Sequence, residues 1–91
     1  MSFQLIFTEQ YDKRARRFLS RHPDLQKRYS KTLQLLEINP RHPSLRLHPL
    51  VGQMEGLYSV SINLTYRVTL ELFIQDQQII PINVGDHDAV Y

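Results

Sequence analysis

Apolar residues recur along this chain with two different periods, and the change between them divides it into a helical first half and a strand-rich second half. Residues 4–7 read as a short strand. Thr8 then suits an N-cap, with Glu9 and Asp12 in the first turn, where their charges complement the helix dipole. A first helix should run to about residue 20. Tyr11, Ala15, Phe18 and Leu19 follow i, i+4, i+7, i+8, while Lys13, Arg14, Arg16, Arg17 and Arg21 take most of the remaining circumference. His22-Pro23-Asp24 breaks this helix and starts another, because proline restricts the residue before it yet fits the first helical position. The second helix should reach about Ile38, with Leu25, Tyr29, Leu33 and Leu36 on its apolar face. Asn39-Pro40 closes it with a residue tolerant of left-handed geometry followed by a breaker. Together the two helices should form a hairpin.

From Ser44 onward the period is two. Leu45 and Leu47 alternate with Arg46 and His48; Tyr58, Val60, Ile62 and Leu64 alternate with Ser59, Ser61 and Asn63; Val68, Leu70 and Leu72 alternate with Arg67, Thr69 and Glu71. A last strand over residues 78–84 sets Ile80, Ile82 and Val84 against Pro81 and Asn83. Each strand has one apolar and one polar face, and residues 63–65 and 75–77 suit turns between successive strands. Pro81 marks an exposed edge or an irregularity, since proline cannot donate to a ladder. The expected class is α+β in the order β-α-α-β-β-β-β. An N-terminal strand and a two-helix hairpin pack on one face of a small antiparallel sheet whose other face is open.

A chain of 91 residues makes one domain, expected to span residues 1–91, and buries roughly 60 to 70% of its unfolded surface. It has no cysteine, so neither a disulfide frame nor a thiolate metal site is available, and the cytoplasm is the expected compartment. The apolar start, residues 3–7, is too short for a signal-peptide core or a membrane span. Charge changes the picture more than size does. Residues 1–49 carry ten Lys/Arg against four Asp/Glu, whereas residues 50–91 carry one against five. The basic half suits a polyanion or an acidic partner, although such a run is also what a solvated helix face looks like.

The open face would project Arg46, His48, Ser59, Ser61, Asn63, Arg67, Thr69 and Asn83, with His87 and Tyr91 beyond the last strand. Ribonuclease chemistry without a metal needs a base for the 2′-hydroxyl proton, an acid for the departing 5′-oxygen and a cation for the phosphorane charge. His48, His87 and Arg67 can supply all three. Arg46, Ser59, Ser61 and Asn83 are candidate RNA-phosphate ligands. His22 and His42, beside prolines in loops, read as local caps. Arg67 has a structural alternative in pairing with Glu55 or Glu71, and Gly85-Asp86-His87-Asp88 has one as a turn. The histidines and carboxylates lack metal-ligand spacing, so no metal or cofactor is expected, and neither a phosphate-cradling glycine loop nor a nucleophilic serine signature is present.

Three groups of residues carry a family resemblance. They are Leu47-His48-Pro49-Leu50 followed by Gly52 and Gly56, then Tyr58-Ser59 with Tyr66-Arg67-Val68-Thr69-Leu70-Glu71, and Gly85-x-His87 with an aromatic end at Tyr91. On these the sequence resembles the RelE/ParE superfamily of bacterial type II toxin-antitoxin toxins, in particular its YafQ-like and HigB-like mRNA interferase branches. The resemblance spans almost the whole chain and implies a RelE-like fold. It further implies a ribosome-dependent endoribonuclease that cuts mRNA, is silenced by a cognate antitoxin, and meets operator DNA only through the antitoxin complex. His48 and His87 match histidines with acid/base roles in the YafQ-like branch, Tyr91 matches its terminal aromatic, and Arg67 matches a strand arginine. Ser61 stands where several members carry a basic residue, and Asn83 where the YafQ-like branch has arginine. The basic helix residues Lys13, Arg14, Arg17 and Arg21 would face the antitoxin or the ribosome, with no membrane partner. Two other functions stay open: a ParE-like DNA gyrase poison, which has no use for the two histidines, and a catalytically silent homologue that only binds antitoxin.

Overall fold

The structure is a computed structural model and describes residues 2–86. Strand β1 (Gln4–Leu5) leads into helix α1 (Glu9–Arg21), and after a 3-10 turn, Pro23–Leu25, comes α2 (Gln26–Ile38). The remaining strands are β2 (His48–Pro49), β3 (Tyr58–Ser61), β4 (Tyr66–Phe73) and β5 (Gln78–Asp86). They form one five-stranded sheet in the order β1-β5-β4-β3-β2.

The helices start and stop as local chemistry requires. Thr8 caps α1 through its hydroxyl, which accepts from the Tyr11 amide at 3.1 Å. One stripe of α1, Tyr11, Ala15 and Phe18, is buried against the sheet, as the spacing demands. The buried face of α2 is Tyr29, Thr32 and Leu36, with Leu33 only partly buried beside it. Thr32 is accommodated there because its hydroxyl donates to the Arg28 carbonyl at 2.9 Å. Asn39 ends α2 in an extended rather than a left-handed conformation, at φ −160°. Its side-chain oxygen accepts from the Arg41 amide. A hydrogen bond between the Tyr11 and Tyr29 hydroxyls, 2.9 Å long and buried, ties the two helices together.

The expected antiparallel sheet is mixed. β1 runs parallel to β5, pairing Gln4 with Gln78 and Leu5 with Ile79, while β2 to β5 are antiparallel to their sequence neighbours. Side-chain alternation cannot reveal this, since period two is common to both kinds of pairing. The expected strand over residues 45–48 also shrinks. Pro43–Leu45 forms a 3-10 turn, and Arg46 follows at φ 52° in the left-handed region, which breaks the alternation. The cause is local capping: the His42 Nδ1 accepts from the Ser44 amide at 3.2 Å, and Pro43 is already set for the first helical position. Leu45 is nevertheless in the core.

Pro81 proves to be an irregularity inside the sheet. Thr69 pairs with Asn83 but Leu70 pairs with Pro81, leaving Ile82 as the extra residue of a bulge. Arg14 supports it from α1, donating from Nη1 to the Ile82 carbonyl at 2.9 Å. The core face of the sheet aligns Val60, Val68 and Val84 in one row and Tyr58, Leu70 and Pro81 in the next. All but the half-buried Tyr58 are buried beneath the helices.

Candidate functional site

Alternation along β4 sends Arg67 and Thr69 to the face opposite the core. Register then assembles two neighbouring rows there. His48 on β2 pairs with Ser59 on β3, Ser59 with Thr69 on β4, and Thr69 with Asn83 on β5. In the next row Ser61 pairs with Arg67, and Arg67 with Gly85. Four expected site residues, His48, Ser59, Asn83 and Arg67, with Ser61 beside them, thus converge from four strands. Thr69 stands among them although it was not expected to bind phosphate; its place in the strand alternation with Arg67 carried the signal.

The face is less open than its polarity implies. Ser59 and Thr69 are 0% exposed and Ser61 is 8% exposed. These short side chains lie in register with the longer His48, Arg67 and Asn83. Burial without compensation follows. The Ser59 hydroxyl, the Thr69 hydroxyl and the Arg67 Nε are all buried with no hydrogen-bond partner. Such atoms are rare in folded proteins, because each forfeits its water without replacement. Three of them sit on neighbouring positions of one sheet face. The alternative expectation, a pairing of Arg67 with a glutamate, does not engage its Nε, which has no hydrogen-bond partner.

His48 is oriented by backbone. Its Nδ1 lies 2.9 Å from the Arg46 carbonyl. A carbonyl only accepts, so Nδ1 carries a proton and donates to it. The left-handed turn at Arg46 aims that carbonyl at the ring, so Arg46 reaches the site through its backbone. Its exposed side chain lines a separate groove with Arg28 and Ser61. Asn63 lies in the β3–β4 turn, where its side-chain oxygen accepts from the Thr65 and Tyr66 amides.

The basic residues of α1 divide. Arg14, Arg17 and Arg21 line a cleft of about 430 Å³ with His22, Tyr66, Asn83 and Asp86, whereas Lys13 is exposed outside it. Arg14 is partly committed to the β5 bulge. His22 caps the end of α1 and packs its ring 4.8 Å from Phe18 and 4.6 Å from Tyr66, and His42 accepts from Ser44, so both are structural as expected. His87 and Tyr91 lie outside the described residues. Among the described residues no group of three or more His, Asp or Glu is placed to hold a metal ion, and no helix is long and apolar enough to cross a membrane.

Solved structures share this architecture along its whole length. YafQ from E. coli strain BL21(DE3) matches with a TM-score of 0.80 at 19% identity over 98% of both chains. The chain has a YafQ-like fold. YafQ in the E. coli DinJ-YafQ toxin-antitoxin complex matches with a TM-score of 0.78 at 20% identity, over 100% of this chain and 99% of that one. The YoeB/ParE toxin from Agrobacterium tumefaciens matches with a TM-score of 0.70 at 18% identity, over 93% and 99%. No protein-family model and no curated protein matches the sequence. At these identities the likeness carries the backbone, and the chemistry must be argued from this chain's own residues.

Proposed function

We propose that this protein is the toxin of a type II toxin-antitoxin pair, and that it is a ribosome-dependent endoribonuclease cutting mRNA without a metal. The observation that carries the reading is the buried, unpartnered Arg67 Nε beside the equally unpartnered Ser59 and Thr69 hydroxyls, in register with a histidine whose ring is oriented by a backbone carbonyl. A phosphodiester meets that need: its oxygens accept from the guanidinium and the hydroxyls.

His48 Nε2 takes the proton of the 2′-hydroxyl, and the 2′-oxygen attacks the neighbouring phosphorus. Arg67 holds the negative charge that builds on the non-bridging oxygens, with Ser59, Ser61 and Thr69 as neutral donors. The bond to the 5′-oxygen breaks with a proton supplied to it, leaving a 2′,3′-cyclic phosphate and a 5′-hydroxyl. His87 is the proposed acid and Tyr91 a terminal aromatic against the substrate, both carried over from the resemblance. The fold is shared with toxins solved in complex with antitoxins. By the same reasoning a cognate antitoxin covers this chain, reaching the cleft of Arg17 and Arg21 with acidic groups, and operator DNA is met only through that complex.

The test is translation on purified ribosomes with mapping of new 5′ ends. The wild-type protein should create cuts, and Arg67→Ala should lower their rate by about 10²- to 10³-fold. Growth inhibition by wild-type protein and by a folded His48→Ala variant alike, without cuts from either, would refute the nuclease and favour the gyrase-type poison.

A further inference from the structure

We infer that a groove between α2 and the β2–β3 side of the sheet is a binding track for the mRNA strand, running away from the scissile phosphate. It consists of two adjoining clefts, of about 370 Å³ and about 400 Å³, which share Arg28, Ser44, Ser61 and Ile62. Lys27 and Lys31 line the first alone, and Arg46 lines the second alone. Four cations therefore face this space, and neither lining includes a carboxylate.

Four features point to RNA as the occupant. Lys27 and Lys31 are exposed one helical turn apart, a like-charge spacing that disfavours the helix itself and suits a polyanion. Arg28 is held in place, since its Nε donates to the Ile62 carbonyl at 2.9 Å, so a cation on the groove wall is ordered before anything binds. The groove also neighbours the candidate site through one residue. Ser61 lines both clefts and is the register partner of Arg67, whose unpartnered Nε marks the proposed scissile phosphate. Leu64, 82% exposed at the rim of the second cleft, offers apolar surface to an unstacked base.

The direction of the strand rests on the endoribonuclease reading, but the test does not depend on cleavage. A short single-stranded RNA, 2′-O-methylated throughout and fluorescently labelled, is titrated with the full chain across a range of salt, and binding is followed by anisotropy. Removing two phosphate contacts through Lys27→Ala/Lys31→Ala should make the slope of log affinity against log salt less negative by about 1.4. Arg16→Ala, one cation lost outside the groove, should leave the slope unchanged. Arg46→Gly gives an independent check that keeps the fold, because glycine accepts the φ of 52° at that position. It should make the slope less negative by about 0.7.

A wild-type slope in both groove variants overturns the track. So does an unchanged RNA slope together with weakened binding to ribosomes carrying no mRNA, which would assign the patch to ribosomal RNA. Competition by polyglutamate as strong as by RNA would assign it to an acidic protein and equally overturn the proposal. Groove-dependent RNA binding by a protein that makes no cuts on ribosomes would keep the track and remove the nuclease; cuts without groove dependence would do the reverse.

Discussion

Replacing Thr69 by valine should make this protein more stable, which is the reverse of what most core substitutions do. Thr69 sits in β4, paired with Ser59 on one side and Asn83 on the other, and is 0% exposed. Its hydroxyl has no hydrogen-bond partner. Valine keeps the branched shape that the strand favours and removes the oxygen. A buried hydroxyl left unpaired costs about 1 to 3 kcal/mol, so at least about 1 kcal/mol should be recovered. For a domain of this size each kcal/mol moves the melting temperature by about 4 to 8 °C. Urea melts followed by circular dichroism should show a raised midpoint with an unchanged slope, since the surface exposed on unfolding hardly changes. The variant should bind single-stranded RNA more weakly, because the hydroxyl is one of the groups that awaits a phosphate. A loss of more than about 1 kcal/mol would mean that the hydroxyl is hydrogen-bonded in the native protein, and the argument from unpaired polar atoms would fail with it.

Leu36, 0% exposed, should cost about 2 to 5 kcal/mol on truncation to alanine, and the half-buried Leu33 clearly less; equal losses in denaturant melts would contradict the packing of α2. His48→Ala should slow ribosome-dependent cleavage by about 10²- to 10⁴-fold while leaving the melting temperature within a few degrees, read from 5′-end mapping and calorimetry. Burial raises the phenols of both Tyr11 and Tyr29 above the ordinary tyrosine value, that of Tyr11 strongly. The unfolded chain therefore ionises first, so stability is full below about pH 10 and falls as pH rises beyond it. Melting temperatures between about pH 8 and 11 should show that decline, and it should weaken in a Tyr11→Phe/Tyr29→Phe variant.

The order of elements was legible because each rests on short-range chemistry. Thr8 names its helix start through its own hydroxyl, Pro23 separates the helices, and the alternation of Val68, Leu70 and Leu72 with Arg67 and Thr69 assigns β4 its two faces. The convergence of His48, Ser59, Asn83 and Arg67 was equally readable, since residues on the polar side of neighbouring strands must share a face. Long-range facts were not. That β1 joins β5 in parallel, that Ile82 is bulged out opposite Thr69 and Leu70, and that Arg14 reaches its carbonyl are decided by contacts between segments far apart in the chain. Arg46 needed its turn to be seen, because a residue that alternates in sequence can still be thrown into the left-handed region by the capping of His42 and Pro43. Polarity alone marked Ser59 and Thr69 as outward-facing. Only packing showed that they are buried and unpaired, because the exposure of a short side chain depends on what surrounds it in the fold and not on its own chemistry.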